Sequence, residues 1–339
     1  MKEPSITVYM PVYNTANYLV ESINSILCQS FKDFEFIIID DGSTDNSLEI
    51  IRSFSDSRIQ ILKNDTNLGV RKASNICIRN AKGKYIVRMD SDDISVPDRL
   101  QKQWSFMEMH PEIGISGGQM SLFGYENGMW KNYLEHDEIK ASLLWGVGIF
   151  QPTFIYRAAI FQQNYFYEED GPILGEDWEF LYKIKNNVRF ANVSEILIYY
   201  RRQHQNATYK FRHLSKHLNA EMHRKILADY AIFASDDELI LHGNIDCEKI
   251  YSEARNLQDY YLWMNNLSQN NTVISHYSAT ALKKIIQKRW YLLFYYLPDL
   301  GYKQVFNYWK ISKKIHRTHF IYYSKWIFNK LVGRKQKKV

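Results

Sequence analysis

The run from Phe34 to Asp41 constrains the fold of this 339-residue chain more than any other stretch. Phe36 to Ile39 are all apolar, which is too continuous for a strand with one face in water. The run therefore predicts a central strand of a parallel sheet, covered on both faces. It ends at two carboxylates, Asp40 and Asp41. Because open α/β sheets bind ligands at the carboxyl ends of their strands, both are candidates for ligand contacts.

Strand and helix patterns alternate four times within about the first 95 residues, which predicts a right-handed, parallel α/β sheet. We expect the first strand to be halted by Pro11 and the fourth to begin near Tyr85. Neither the G-x-G-x-x-G fingerprint nor a P-loop occurs, which disfavours a dinucleotide dehydrogenase or a P-loop enzyme. The expected strands cover residues 6–10, 34–39, 59–62 and 85–87.

Further elements follow with less regular patterns. Residues 150–157 predict a strand that Pro152 interrupts, which places it at a sheet edge or in a crossing. Residues 174–181 open a helix with acidic residues in its first turn, and 196–200 predict a last strand. From about Ala207 the pattern becomes helical.

Composition limits the class of protein. Hydrophobic residues make up 45% of the chain and charged residues 24%, as in globular proteins. The three cysteines have no paired spacing, which favours a reducing compartment over a disulfide framework. The sequence shows neither a signal-peptide pattern nor a long uncharged apolar stretch, so we expect a soluble or surface-bound protein.

Charge is concentrated at the C-terminus. Residues 281–339 hold 15 Lys or Arg against the single Asp299, a local +14, whereas the first 280 residues hold 28 basic and 36 acidic residues, a net −8. Lys and Arg alternate there with Trp, Tyr, Phe and Ile, which is typical of a helix lying on an anionic membrane. A helical appendage with a packed apolar face is the alternative, and nucleic-acid binding is disfavoured.

A second carboxylate cluster follows the fourth predicted strand. Asp90, Asp92 and Asp93 stand within four positions, and like charges this close repel one another unless a cation compensates. Hard oxygen ligands suit Mg²⁺ or Mn²⁺, which keep positions open for substrate phosphates. The alternative is a solvated acidic turn in which Asp93 or Ser95 caps the next helix.

Seven motifs together resemble one family, the family 2 glycosyltransferases of the GT-A fold, over about residues 5–208. They occur in the order seen in that family, and their joint occurrence is far more specific than any one of them. The motifs are Pro11-Val12-Tyr13-Asn14, Asp40-Asp41-Gly42-Ser43-Thr44-Asp45, Asn67-x-Gly69, Arg88-x-Asp90-x-Asp92-Asp93, Pro97-x-Arg99-Leu100, Glu176-Asp177-Trp178 and Arg202-x-His204.

The resemblance implies a site for a UDP-sugar. Asp41, with Asp40, would accept hydrogen bonds from uracil, and Asp90 would hold the ribose or a metal-bound water. Arg71 would approach the diphosphate or form a structural ion pair. The residues expected to wall the uracil pocket are Pro11, Tyr13 and Asn14.

The resemblance also implies roles in metal binding and catalysis. Asp92 and His204 would ligate Mn²⁺ or Mg²⁺, while Asp93 would brace Arg99 or cap the following helix. Asp177 would act as the general base of an inverting displacement. Glu176 would support it, and Trp178 would either stack on a sugar face or pack in the core.

These expectations define a domain plan and a function. Residues 1–208 would form the GT-A catalytic domain, with a mostly parallel Rossmann-like sheet, a nucleotide-sugar half at about 1–100 and an acceptor half at about 101–208. Residues 209–280 would form a helical extension and 281–339 a basic aromatic tail. The expected enzyme is cytoplasmic, peripheral on the inner face of the cytoplasmic membrane, and transfers sugar from a UDP-sugar to a glycan or glycolipid.

UDP-GlcNAc is the preferred donor, and the preferred acceptor is a growing lipooligosaccharide, lipopolysaccharide or capsule glycan. The helical C-terminal region is more loosely similar to lipooligosaccharide β-1,3-N-acetylglucosaminyltransferases. Galactosyl, glucosyl or N-acetylgalactosaminyl transfer stays open, as does a non-catalytic sugar-nucleotide or glycan-binding module. A peripheral membrane scaffold is a third alternative.

Overall fold

The computed structural model describes residues 3–203, 212–243 and 254–332. The chain divides into two compact units, Met1–Ser215 and Lys216–Val339. The first contains an α/β sheet, and the second is helical in its described part.

Within the described residues, nine strands form one mixed sheet in the spatial order β3-β2-β1-β4-β8-β6-β9-β5, with β7 paired to β6. The first four strands are parallel to one another, and β6 is parallel to β9. The predicted α/β fold is thus confirmed. The strands are β1 (Ile6–Val12), β2 (Phe34–Asp41), β3 (Ile59–Asn64), β4 (Tyr85–Arg88), β5 (Ile94–Ser95), β6 (Ile113–Gly124), β7 (Gly128–Trp130), β8 (Ile155–Arg157) and β9 (Arg189–Arg202).

Helices flank this sheet and cover its apolar faces. In the first helix, Leu19, Ile23 and Ile26 recur at helical spacing and are fully buried against the strands. β2 is buried along almost its whole length, as its continuous apolar run predicts. The helices of this unit are α1 (Ala16–Leu27), α2 (Ser47–Ser53), α3 (Val70–Asn80), α4 (Arg99–Met109), α5 (His136–Ser142), α6 (Ala159–Gln162) and α7 (Glu176–Ile184).

Strand register brings the predicted motifs to one edge of the sheet. Val12 at the end of β1 lies opposite Asp40, and Tyr9 lies opposite Arg88 at the end of β4. β1 continues through Pro11, so the expectation that proline halts it was wrong. The carbonyl of Tyr9 accepts a hydrogen bond from the Met89 amide, so the backbone polar groups of Tyr9 face β4. Backbone groups two residues apart in a strand face the same side, so those of Pro11 also face β4. The β4 ladder has ended there, so the missing N–H of Pro11 leaves no ladder bond unmade.

The strand near Pro152 also differs from the expectation. Gln151–Thr153 form a single 3₁₀ turn, and β8 begins only at Ile155. β8 lies inside the sheet, antiparallel to both β4 and β6, so its placement at an edge was wrong. Because the proline belongs to the turn, it interrupts no ladder.

The second unit is built on aromatic packing. The ring of Trp290 stacks on Tyr308 at 4.6 Å between centroids, and His319 stacks between Tyr291 and Phe294 at 4.2 and 4.1 Å. No helix in the described ranges is both long and apolar enough to span a membrane. The remaining helices, of which the first crosses the unit boundary, are α8 (Arg212–Ala228), α9 (Asp236–Gly243), α10 (Ala254–Gln269), α11 (Asn271–His276), α12 (Ala279–Leu293), α13 (Leu297–Leu300), α14 (Tyr302–Ser312) and α15 (Arg317–Leu331).

Candidate functional site

Asp41 joins the end of β2 to the loop after β3. Its carboxylate accepts hydrogen bonds from Asn64 Nδ2 at 2.7 Å and from the backbone amides of Leu68 and Gly69 at 3.0 and 2.9 Å. A Cβ on Gly42 would lie 2.5 Å from the Thr66 carbonyl carbon, so the two loops meet without room for a side chain. Asp41 therefore organises this corner of the site through contacts within the chain.

Both carboxylate oxygens of Asp40 are unused acceptors within the described part of the chain. It is fully buried, and neither oxygen accepts a hydrogen bond from any described residue. A buried carboxylate without a donor is costly to the fold. Asp40 thus provides unused acceptors next to the already bonded Asp41.

The loop after β1 is joined to the loop after β2. Asn14 adopts a left-handed conformation with φ of 52°, and its side-chain oxygen accepts the Thr44 amide at 2.8 Å. Its own amide donates to Ser43 Oγ at 3.1 Å. The Tyr13 side chain beside it is 44% exposed. Asn14 holds the loops together, and Tyr13 is the ring left open to a ligand.

Arg88 and Asp90 form a partly buried ion pair at the end of β4, with Arg88 Nε donating to Asp90 Oδ1 at 2.8 Å. Arg88 also donates to Ser74 Oγ at 3.2 Å. Burial favours the neutral form of Arg88, but the charge of Asp90, together with Tyr9, Tyr167 and Glu176, outweighs burial and raises the Arg88 pKa well above its usual value. Arg88 therefore carries a permanent positive charge at the base of the site.

Asp92 and Asp93 are held by the end of β9. Gln203 Nε2 donates to Asp92 Oδ2 at 3.0 Å, the Arg201 amide donates to Asp93 Oδ1 at 2.8 Å, and the Arg201 side chain donates to the Asp92 carbonyl. Burial and then the charge of Asp90 raise the Asp92 pKa to about 6. Burial and then the charge of Asp92 raise the Asp93 pKa well above its usual value.

Carboxylate oxygens are the ligands that a hard divalent cation takes, so the chemistry of Asp92 and its neighbours fits Mg²⁺ or Mn²⁺. Across residues 3–203, 212–243 and 254–332, no group of three or more His, Cys, Asp or Glu side chains is arranged to hold a metal ion. The predicted ligand His204 lies just outside those ranges. Of the two predicted metal ligands, the described residues therefore include Asp92 but not His204.

The expectation that Asp93 braces Arg99 was wrong. Arg99 is fully buried on α4, and its guanidinium donates to Gln103 and to the carbonyls of Arg88 and Pro152, each at 2.8 Å. Burial lowers the Arg99 pKa to about 9. Arg99 ties the backbone after β4 to the turn at Pro152, while Asp93 bonds to β9.

Asp177 lies in the first turn of α7. Its Oδ1 accepts the Trp178 amide at 2.8 Å. Burial, followed by the charge of Glu176, raises the Asp177 pKa to about 7. A carboxylate with a pKa near neutrality suits a general base at physiological pH.

Trp178 packs in the core instead of facing a sugar. It is 5% exposed, and its indole N–H donates to the Leu143 carbonyl at 2.8 Å. Of the two interpretations of this residue, the structure supports packing, because both the ring and its polar atom are already engaged.

Arg71 contacts α7 and the loop that precedes it. It forms a 2.9 Å ion pair with Glu179, and it donates to the carbonyls of Glu168 and Pro172 at 3.1 and 3.0 Å. A Cβ on Gly171 would lie 2.5 Å from its guanidinium. Arg71 is thus a structural clamp, and the structure gives no support to its predicted approach to a diphosphate.

Three contributors escaped sequence reasoning, namely Gln151, Arg201 and Gln203. Arg201 and Gln203 stand next to the predicted His204, so their position after the last strand was the available signal. Gln151 had no signal in the sequence beyond its place before Pro152, since its partners, Arg88 and Glu176, lie far from it along the chain.

The fold that carries the site is shared with solved structures. Staphylococcus aureus TarS 1–349 superposes with a TM-score of 0.56 at 22% identity, covering 91% of this chain and 90% of that one. The mannosyltransferase PcManGT of Pyrobaculum calidifontis, solved with GDP-Man and Mn²⁺, gives 0.52 at 14% identity, covering 92% and 87%. At such low identities these likenesses establish the fold, which is GT-A.

Sequence comparison identifies the family. Residues 7–165 match the model of glycosyl transferase family 2. The uncharacterized glycosyltransferase MJ1057 of Methanocaldococcus jannaschii is 32% identical over 210 residues, 59% of this chain and 72% of that protein. This chain therefore belongs to glycosyl transferase family 2.

Other relatives are matched over less of their length. An uncharacterized Haemophilus influenzae glycosyltransferase is 33% identical over 212 residues, 58% of this chain and 65% of that protein. The putative glycosyltransferase EpsE of Bacillus subtilis is 42% identical over 123 residues, 35% and 44% of the two chains. The chain spans less than two thirds of these relatives.

Proposed function

We propose that this protein is an inverting glycosyltransferase that uses a UDP-sugar, with UDP-GlcNAc as the preferred donor. The observation that carries the proposal is a continuous set of contacts from Asp90 to α7. Arg88 pairs with Asp90 and, through Gln151, reaches Glu176, the neighbour of Asp177. These contacts support one site that combines a carboxylate cluster suited to a metal-bound diphosphate with a carboxylate suited to a base.

Asp177 acts as the base in this mechanism. Its carboxylate takes the proton from an acceptor hydroxyl while that oxygen bonds to the anomeric carbon of the donor. The bond from the anomeric carbon to the β-phosphate oxygen breaks, and UDP leaves with the electron pair. The near-neutral pKa of Asp177 lets it accept this proton and release it to water afterwards.

Asp40, Asp41 and Tyr13 form the nucleoside end of the site. Asp40 offers unbonded acceptors to the uracil N–H and the ribose hydroxyls, Asp41 holds the loop beside it, and the exposed Tyr13 ring covers the base. Asp90 faces the ribose side. TarS, which shares the fold, was solved in complex with UDP-GlcNAc. That complex supports the choice of UDP-GlcNAc ahead of UDP-galactose, UDP-glucose and UDP-N-acetylgalactosamine.

Asp92 is the proposed ligand of Mn²⁺ or Mg²⁺, with His204 as its partner. A bound divalent cation would neutralise the charge that develops on the departing diphosphate. Gln203 orients the Asp92 carboxylate, and Arg201 holds the loop that carries it. The Mn²⁺ found in PcManGT supports a metal of this kind.

The acceptor proposed is a bacterial surface glycan or glycolipid, reached at the cytoplasmic membrane through the tail. In α15, His319, Tyr322 and Tyr323 pack inward, whereas Phe320 and Phe328 are 56% and 60% exposed. Basic residues flank this exposed apolar face, as an anionic membrane requires. The apolar residues of this face are Phe320, Ile321, Ile327, Phe328 and Leu331, and the basic residues beside it are Arg317, Lys325 and Lys330.

A donor panel tests the proposed function. The full chain is incubated with Mn²⁺ and each of the four UDP-sugars, and UDP release is measured. We expect release from UDP-GlcNAc to exceed the others and to need the metal. Release from another UDP-sugar alone would reassign the donor. Tight UDP-sugar binding without turnover would favour the non-catalytic module, and vesicle binding without any affinity for UDP would favour the scaffold.

A further inference from the structure

The turn at Gln151–Thr153 is held rigidly by α4. Arg99 donates to the Pro152 carbonyl at 2.8 Å, and Gln103 Nε2 donates to the Thr153 carbonyl at 2.7 Å. Arg99 and Gln103 are themselves fully buried and bonded to each other. The backbone of Gln151 therefore has a fixed position below the site.

The Gln151 side chain bridges two charged residues. The two neighbours assign the orientation of its amide: with the nitrogen toward the carboxylate, Nε2 donates to Glu176 Oε1 at 3.0 Å and Oε1 accepts from Arg88 Nη1 at 3.3 Å. Gln151 is 8% exposed and Arg88 4% exposed. Because water is largely excluded between Gln151 and Arg88, a bond lost between them would not be replaced by solvent.

The first turn of α7 needs such a support. Its N-cap is Gly175, with φ of 85° and no side chain to cap the helix. Glu176 is the first residue of the helix, directly before Asp177. A hydrogen bond to Glu176 therefore adds a side-chain contact to the turn that carries the base.

We propose that Gln151 is a positioning residue, which couples Arg88 on the donor side to Glu176 and so holds Asp177 in its productive orientation. This inference rests on the proposed transferase function. A donor phosphate bound near Asp90 meets an arginine that is already fixed to the base-bearing turn. Gln151 contributes to the rate of transfer and little to donor affinity, since its amide faces Arg88 and Glu176.

The test is a double-mutant cycle in the full chain, with Gln151→Met, Glu176→Ala and the double variant. Gln119→Met is the matched control, because Gln119 is a buried glutamine that bonds to Val193 and Asn132. For each variant, kcat and KM for the UDP-sugar, UDP affinity and Tm are measured. We expect Gln151→Met to lower kcat about 30-fold with KM changed less than about threefold, and the double variant to be little worse than the worse single variant.

Three outcomes would count against the inference. A Gln151→Met variant with the kcat of Gln119→Met would remove Gln151 from the reaction. Additive losses in the cycle would show that Gln151 and Glu176 act separately, and a loss confined to KM would place Gln151 in donor binding. In all three cases the wild-type chain still turns over, so the proposed function survives; absence of wild-type turnover with every UDP-sugar would overturn both.

Discussion

Gln203 donates a hydrogen bond to the Asp92 carboxylate at 3.0 Å, so the end of β9 sets the orientation of the proposed metal ligand. Partners of metal ligands commonly alter metal affinity about 10- to 100-fold when removed. We expect Gln203→Leu to raise the Mn²⁺ concentration needed for half-maximal UDP binding by about tenfold, as measured by titration calorimetry. Gln101→Leu, at an exposed glutamine on α4, is the control. An unchanged Mn²⁺ requirement would remove Gln203 from the metal site.

Asp177→Asn should separate chemistry from binding. An amide cannot accept the proton, so we expect kcat to fall about 10²- to 10⁴-fold, while UDP-sugar affinity stays within about twofold. The control is Asp170→Asn, at an exposed aspartate in the preceding loop. Retained turnover in Asp177→Asn would eliminate Asp177 as the base.

The pH dependence of kcat follows from the pKa of Asp177, which is about 7. The base is active when ionised, so kcat should rise with pH through about 7. The charge of Glu176 raises this pKa, and Glu176→Gln removes that charge while an oxygen remains for Gln151. We therefore expect the acid limb of the profile to move to lower pH in Glu176→Gln. The control is Glu49→Gln, in the first turn of α2, which should leave the pH profile unchanged. An unchanged pH profile in Glu176→Gln would contradict the assignment of the acid limb to Asp177.

The buried pair of Arg71 and Glu179 should matter for stability. Removing one partner of such a pair leaves an uncompensated charge, so Arg71→Met should lower the free energy of unfolding by about 3 kcal/mol. Arg79→Met, which breaks the exposed pair with Glu169, should cost less than about 1 kcal/mol. Urea denaturation measures both. A large loss of UDP affinity in Arg71→Met without loss of stability would restore the diphosphate role.

Exposed apolar residues of α15 should decide membrane binding. Serine at Phe320, Phe328 and Leu331 should reduce binding to phosphatidylglycerol vesicles about tenfold or more, since this removes the three most exposed large apolar side chains of α15. Phe233→Ser is the control, because Phe233 is 86% exposed in the same unit but outside the tail. Tm and kcat on a short soluble acceptor should not change. Equal vesicle binding by all variants would exclude this face.

Local patterns in the sequence were enough for the parallel strands and the acidic motifs. The buried run at Phe36–Ile39 and the carboxylates after it are adjacent in the chain, so periodicity and spacing revealed both. The predictions at Pro11 and Pro152 were wrong because Pro11 lies beyond the end of the β4 ladder and Pro152 lies in a turn, where a proline is tolerated. Neither condition can be read from the sequence before the pairing of the strands is known.

Long-range contacts were beyond the sequence. Arg71 meets a segment about a hundred residues away, and Gln203 meets Asp92 across a similar separation. Motif position identified both neighbourhoods, yet only packing could show that Arg71 turns toward Glu179 and that Trp178 points into the core. Charge and burial decide such partners, and these depend on the folded chain.

The most direct test is proton NMR of the full chain incubated with UDP-GlcNAc and Mn²⁺, following the anomeric signal of the sugar. A short soluble glycan acceptor is included, so that the sugar is transferred to its hydroxyl and the product cannot mutarotate. We predict that the α-anomeric signal of the donor decays as a β-anomeric product signal appears at the same rate, with free UDP formed in equal amount. Asp177→Asn should leave the donor signal intact. A product that keeps the α configuration, or a donor signal that persists with the wild-type chain, would contradict an inverting UDP-sugar transferase.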